Sequence, residues 1–331
     1  MNRSTILLAT VFTLVLAAGC TNTGDPLPSW NEGAAKTSIM DFVQRSTTPS
    51  SSDFVPENER IAVFDNDGTL WCEQPLYVQL LFVFDRIKAL APDHPEWATT
   101  QPFQAVLEDD HEALHAAGEH GLIELLMATH GGVTTEELKK AVTAWMADAE
   151  HPRFARPFTE LVYQPMLELL DFLRDNGFKT YIVSGGGMEF MRPMTEEVYG
   201  IPPEQVMGSS MKKAFEMRED GPVIVQQTAM GFINDKAGKP VGIQEFIGRR
   251  PVAAFGNSDG DLQMLQWTAA GAGARFMLLV RHTDEVREYA YDRDSSVGRL
   301  DQALDEAQRH GWTVVDMKQD WRVVFPHELA E

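Results

Sequence analysis

Two stretches of this 331-residue chain carry residue types that do chemistry. The first is IAVFDNDGTLW, residues 61–71. Asp65 and Asp67 stand two apart at the end of a short apolar run, and in a strand that spacing sends both carboxylates to one side. Adjacent carboxylates repel each other unless a cation lies between them, and a hard ion such as Mg2+ is the natural partner. One acid can attack an electrophile while the other shuttles a proton. Gly68 and Thr69 turn the chain and offer N–H groups to an anion. The second stretch is DDHEALHAAGEHG, residues 109–121. On a helix, His111 and His115 share one face and could hold zinc, with Glu112 beside them as general base.

The two stretches demand different metals and different reactions. A zinc peptidase needs a third protein ligand. Glu136 and Glu137 are downstream candidates, but a Gly-Gly pair and a helix restart intervene, and Gly121 stands where a longer zinc pattern requires histidine. The surrounding apolar positions Val106, Leu107, Leu114, Leu122 and Leu125 suit a packed helix with its histidines on the solvated face. Zinc peptidase chemistry through His111, Glu112 and His115 is therefore the alternative reading.

Two further clusters support the carboxylate pair. Ser184, followed by Gly185, Gly186 and Gly187, offers a hydroxyl and unobstructed amides. GNSDGD, residues 256–261, adds Asp259 and Asp261, and a lysine at 236 or 239 could neutralise an oxyanion. Taken singly, each is an ordinary polar turn.

The elements that must position these groups alternate. RIAVF reads as a buried strand, FKTYIVSGGG and PVAAFGNSDGD as strands ending in polar turns, and ARFMLLV and GWTVVDM as later strands. PVIVQQ adds another. Helical patterns separate them at FTELVYQPMLELLDFLRDNG, EFMRPMTEEVYG, PVGIQEFIG and LQMLQWTAAG. TDEVREYAYD is expected to form one more helix, with His282 and Asp284 near its start. Such alternation specifies an α/β fold, a parallel sheet wound on both faces, and its ligands bind beyond the carboxyl ends of the strands. Residues 75–155 are helical throughout and form an insert, with Thr134 or Thr135 capping its last helix.

The net charge is −21 and 44% of residues are hydrophobic. That excludes the basic footprint of a nucleic-acid binder and a broad basic surface for anionic lipid. The apolar run from Ile6 to Ala18 is short against the roughly 20 residues of a membrane span and reads as an export signal. Ala18-Gly19-Cys20 resembles a bacterial lipobox, which implies cleavage before Cys20 and a lipid on its sulfur. The chain is then exported and held at a bacterial membrane, facing the periplasm or the exterior, by that anchor only. Cys72, the other cysteine, is expected to be a small buried apolar residue.

FDNDGTL, IVSGG, a following lysine and GNSDGD resemble, in order, the four motifs of the haloacid dehalogenase superfamily. The likeness is to its phosphoserine-phosphatase-like branch, whose helical cap lies between the first two motifs. It covers roughly residues 60–75 and 158–265 and implies a Rossmann-like three-layer core with an inserted helical cap. Joined to the export signal and to a Pro-, Gly- and Thr-containing stretch at 21–31 that reads as a tether, it divides the chain into a signal peptide at 1–19, a tether and N-terminal helix at 20–55, a core at 56–74 and 156–331, and a cap at 75–155. The resemblance implies Asp65 as nucleophile and Asp67 as general acid and base. Ser184, the Gly185 amide and Thr69 would serve the phosphate. Lys239 is preferred to Lys236 because KPVGIQEFIG starts a helix. Glu73, entering the cap, could meet an amino group of the substrate. Mg2+ would be held by Asp65, the Asp67 carbonyl, Asn257 and Asp261. Asn257 stands where the family usually has aspartate, so the site loses one charge, which Asp259 could replace. Because an alkoxide is a poor leaving group, an acid at 67 points to hydrolysis of a small phosphate monoester. A silent binding lipoprotein on this fold is a further alternative, and the assembly state is left open.

Overall fold

The protein is described by a computed structural model covering residues 24–330. The stretch read as an export signal, and Cys20, lie outside the described residues. At the centre is strand β1 (Ile61–Phe64), all four residues buried. Ala62 and Phe64 enter one hydrophobic layer, and Ile61 and Val63 the other. A strand covered on both faces needs this unbroken apolar run.

The remaining strands are β2 (Lys179–Gly187), β3 (Val206–Arg218), β4 (Gly221–Phe232), β5 (Ala253–Gly256), β6 (Phe276–Thr283), β7 (Ala290–Tyr291) and β8 (Thr313–Asp316). They form one mixed, mostly parallel sheet in the order β4-β3-β2-β1-β5-β6-β7, with β8 also paired to β6. Phe64 is in register with Ile182 on one side and Phe255 on the other, and the two phenylalanine rings stack at 4.3 Å. That register brings Asp65, Ser184 and Asn257 to the same edge of the sheet. The α/β layering is as the alternation implied.

The helices are α1 (Ala34–Thr47), α2 (Val78–Leu90), α3 (Phe103–Leu107), α4 (His111–His130), α5 (Thr135–Asp148), α6 (Gln164–Asp175), α7 (Met188–Tyr199), α8 (Gly238–Phe246), α9 (Leu262–Ala269), α10 (Gln302–His310) and α11 (Met317–Asp320). Those from α2 to α5 lie between β1 and β2 in the chain and carry a small core of their own around Val83, Ile87, Trp97 and Leu125. Thr134 caps α5 in a reciprocal capping box with Glu137. Helix α4 is kinked at Gly118, three residues beyond His115.

The structure corrects three expectations. PVIVQQ is part of a long antiparallel ribbon, β3 and β4, rather than a lone strand. Its first strand is masked in sequence because Lys212, Lys213, Glu216, Met217 and Arg218 are exposed and show no buried face. The ribbon reaches the inserted helices, where Gly132 donates to Gln226 and Gln226 donates to Val133, both through the backbone. TDEVREYAYD forms turns and the short strand β7 instead of a helix. Buried Glu288 accepts from His282, the Tyr289 amide and the Tyr163 hydroxyl, and His282 pairs with Tyr291 across β6 and β7. The stretch expected to be a free tether is docked from Leu27 onward. Leu27 and Trp30 are buried, and the Trp30 indole donates to the Pro165 carbonyl and meets Trp321 edge-on.

Candidate active site

Beyond β1 the chain bends back on itself. The amides of Thr69, Leu70 and Trp71 all point to the Asn66 carbonyl, and the Gly68 amide donates to the Trp71 carbonyl. Gly68 takes φ +70, and a Cβ there would fall 2.1 Å from the Asn257 amide nitrogen, so no side chain fits. The bend leaves Asp65 buried at the strand end, and Asp67 accepts from the Trp71 indole at 2.9 Å.

Lys239 sits in the first turn of α8 and is 1% exposed. Its ammonium lies 2.9 Å from Asp65 and 2.6 Å from Asp261. Lys236 is exposed. Burial alone would discharge Lys239, but the two carboxylates overcome it and raise its affinity for its proton. Asp65 is pushed well above the usual carboxylate range by burial and by Asp261, against the pull of Lys239. Burial also raises Asp67, with Trp71 and Lys239 opposing.

Buried Ser184 accepts from the Gly186 amide through its hydroxyl. A Cβ on Gly186 would come within 3.5 Å of an Asp67 carboxylate oxygen, which places the glycine turn beside that acid. Gly185 lies against Asp235. Thr69 donates to the Asn257 side-chain oxygen at 3.0 Å, and the Asn257 amide donates to Glu73 at 2.7 Å.

Asp261 is buried with both oxygens engaged, one by Lys239 and the other by the amides of Asn257 and Ser258. It holds the lysine and the turn from behind. Asp259 does not replace the missing charge at 257. Its carboxylate accepts from the amides of Asp301 and Ala303 and so caps α10.

Several residues here escape a reading by motif. Asn234 is buried and holds the Ser184 carbonyl. Gln79, one residue into α2, accepts from the Gly187 amide and ties the inserted helices to the glycine turn. His282 bonds the Gly68 carbonyl at 2.8 Å through one ring nitrogen and Glu288 through the other. Tyr291 reaches Glu73. Only His282 carried a hint, its place after an apolar strand.

The donor set fits a hard divalent cation. Asp65, Asp67 and Glu73 bring three carboxyls to this edge, whereas Asp261, expected to ligate the metal, instead has one oxygen on Lys239 and the other on the turn amides. Among the described residues no three Asp, Glu, His or Cys side chains converge closely enough to ligate a metal unaided. A cation at this edge would therefore draw on neutral oxygens as well, such as the Asp67 carbonyl and the Asn257 amide. His111, Glu112 and His115 are exposed on α4, without a third ligand among the described residues. Cys72 is buried and free, its thiol pushed well up by burial.

A buried strand-end carboxyl, its ammonium counter-charge and a glycine-rich turn, gathered where parallel strands end, suit a hydrolase of the α/β class. The chain belongs to the haloacid dehalogenase-like hydrolases, whose family pattern matches residues 62–266. No curated protein matches the sequence. Among solved structures, a conserved protein of unknown function from Anaerococcus prevotii shares the fold, with 15% identity over 85% of this chain and 91% of its own, at a TM-score of 0.54. A protein of unknown function from Bordetella pertussis follows, with 16% identity, 78% and 99% coverage and a TM-score of 0.49. A probable phosphoserine phosphatase from Vibrio cholerae has 15% identity, 84% and 65% coverage and a TM-score of 0.41.

Proposed function

We propose that this hydrolase is a Mg2+-dependent phosphatase of small phosphate monoesters, working through an aspartyl-phosphate on Asp65. The observation that carries the reading is the placement of Asp65, with Lys239 at 2.9 Å and Asp67 two residues on, beside the Ser184 glycine turn. Bound Mg2+ would supply positive charge against the phosphoryl oxygens, held by Asp65, the Asp67 carbonyl and Asn257.

In the first half-reaction an Asp65 oxygen attacks phosphorus and the ester P–O bond breaks. Protonated Asp67 gives its proton to the departing alkoxide. In the second, Asp67 takes a proton from water as the water oxygen attacks phosphorus, and the bond to Asp65 breaks. Lys239, Ser184 and the Gly185 amide hold the phosphoryl oxygens through both steps, the Gly186 and Gly187 amides being taken by Ser184 and Gln79. The inserted helices, tied to the turn through Gln79, shield the site and read the leaving group. From the sequence around Cys20 we further read the enzyme as exported and lipid-anchored.

The test is a panel of phosphate esters assayed with Mg2+, together with trapping of the intermediate. Radiolabelled phosphate should be recovered on Asp65 after acid quenching. Turnover with Asp65 unmodified would overturn the mechanism.

A further inference from the structure

Glu73 closes the first motif and is 2% exposed. Its Oε1 atom accepts from the Asn257 amide at 2.7 Å and from the Tyr291 hydroxyl at 2.9 Å. Both donors are neutral. Among the described residues no lysine, arginine or histidine forms an ion pair with it, and Lys239 spends its charge on Asp65 and Asp261.

The space around this carboxyl is built by the backbone. A Cβ on Gly68 would fall 2.3 Å from Oε1, and one on Gly298 would fall 1.8 Å away. Both glycines take positive φ, at +70 and +66. Four separate parts of the chain, at 68, 257, 291 and 298, thus converge on one carboxyl group. That enclosure leaves little room for a substrate amine.

A buried carboxylate that faces only neutral donors is costly unless a counter-charge arrives. Asp65 and Asp67 add negative charge nearby, and Asp65 Oδ1 makes no directed hydrogen bond despite its closeness to Lys239. Asn257 is the bridge between this corner and Glu73. Its oxygen accepts from Thr69 and its amide is turned to Glu73. An amide contributes a dipole and no charge. The carboxyl that faces the Asn257 amide is Glu73's.

We propose that Glu73 belongs to the cation site, supplying through Asn257 the negative charge needed to hold a divalent metal. This rests on the metal-dependent reading above. It gives Glu73 a different task from reading an amino group of the substrate.

The test measures Mn2+ binding by electron paramagnetic resonance, and Mg2+ binding by calorimetry, on the full chain without substrate. Glu73→Gln should weaken binding by about tenfold or more, the scale of lost outer-sphere partners. The swap Glu73→Gln with Asn257→Asp moves the charge to 257 and keeps the hydrogen bond with donor and acceptor reversed. It should bind within about threefold of wild type, inside the range a kept partner allows. Unchanged binding in Glu73→Gln would overturn the assignment, as would a swap as weak as the single variant. If Glu73→Gln fails to fold, the swap alone decides by the same criterion. A wild-type protein that binds neither ion overturns the metal-dependent reading as well, which separates that failure from this one.

Discussion

The ammonium of Lys239 lies 2.9 Å from the carboxylate of Asp65, and both side chains are buried. The lysine is the nearest compensation the fold provides for an acid that burial and Asp261 would otherwise neutralise. Removing that acid separates chemistry from folding. Asp65→Asn should lose roughly 10^3-fold or more in kcat, as expected when a covalent nucleophile is removed. Its melting temperature should match or exceed that of wild type, because one buried carboxylate is gone. Steady-state assays and a thermal melt on the same sample check both parts.

Removing the lysine should act differently. Lys239→Met leaves Asp65 and Asp261 buried and unpaired, and breaking a buried pair from one side typically costs about 3–5 kcal/mol. Urea unfolding should show a lower midpoint as well as lost activity. Lys239→Met combined with Asp261→Asn should recover part of the stability and none of the activity.

The parts of this site that were legible in the sequence share one property: residue type and strand-end position sufficed. Asp65, Asp67, Ser184 and Lys239 each follow an apolar run or open a helix, so local pattern placed them together. What was not legible depends on long-range pairing. Tyr291 meets Glu73 across 218 positions and His282 meets Gly68 across 214. No periodicity announces such contacts. The segment 283–292 has helical composition, and buried Glu288 overrides it by drawing His282, Tyr289 and Tyr163 around one carboxylate. The β3–β4 ribbon was hidden for the opposite reason. Much of its first strand is exposed and charged, and only the Asp220-Gly221 turn marked it.

The histidine pair on α4 separates the two metal readings. His111 and His115 are exposed, with no third ligand among the described residues. His111→Ala with His115→Ala should leave phosphatase activity within about twofold, as surface changes away from a site do. Chelation should abolish activity, and Mg2+ rather than Zn2+ should restore it. Restoration by Zn2+ in wild type but not in the double variant would place the histidines in the mechanism.

His130 should make the inserted helices sensitive to acid. It is buried at the end of α4, beside Thr129 and edge-on to Phe82, and its Nε2 has no partner. Burial and the nearby Arg86 depress it from 6.5 to about 4. Between those values the unfolded chain takes up a proton that the folded chain refuses, so stability is full above pH 6.5 and falls as pH drops toward 4. The loss attributable to this residue should reach roughly 3 kcal/mol at the acid end. Many carboxylates titrate in the same range, so the measurement is a difference. Urea unfolding at pH 7 and pH 4.5 should show a smaller acid loss for His130→Gln than for wild type. Equal losses in the two proteins would mean that the imidazole accepts its proton inside the fold, against the burial and the positive neighbour that surround it.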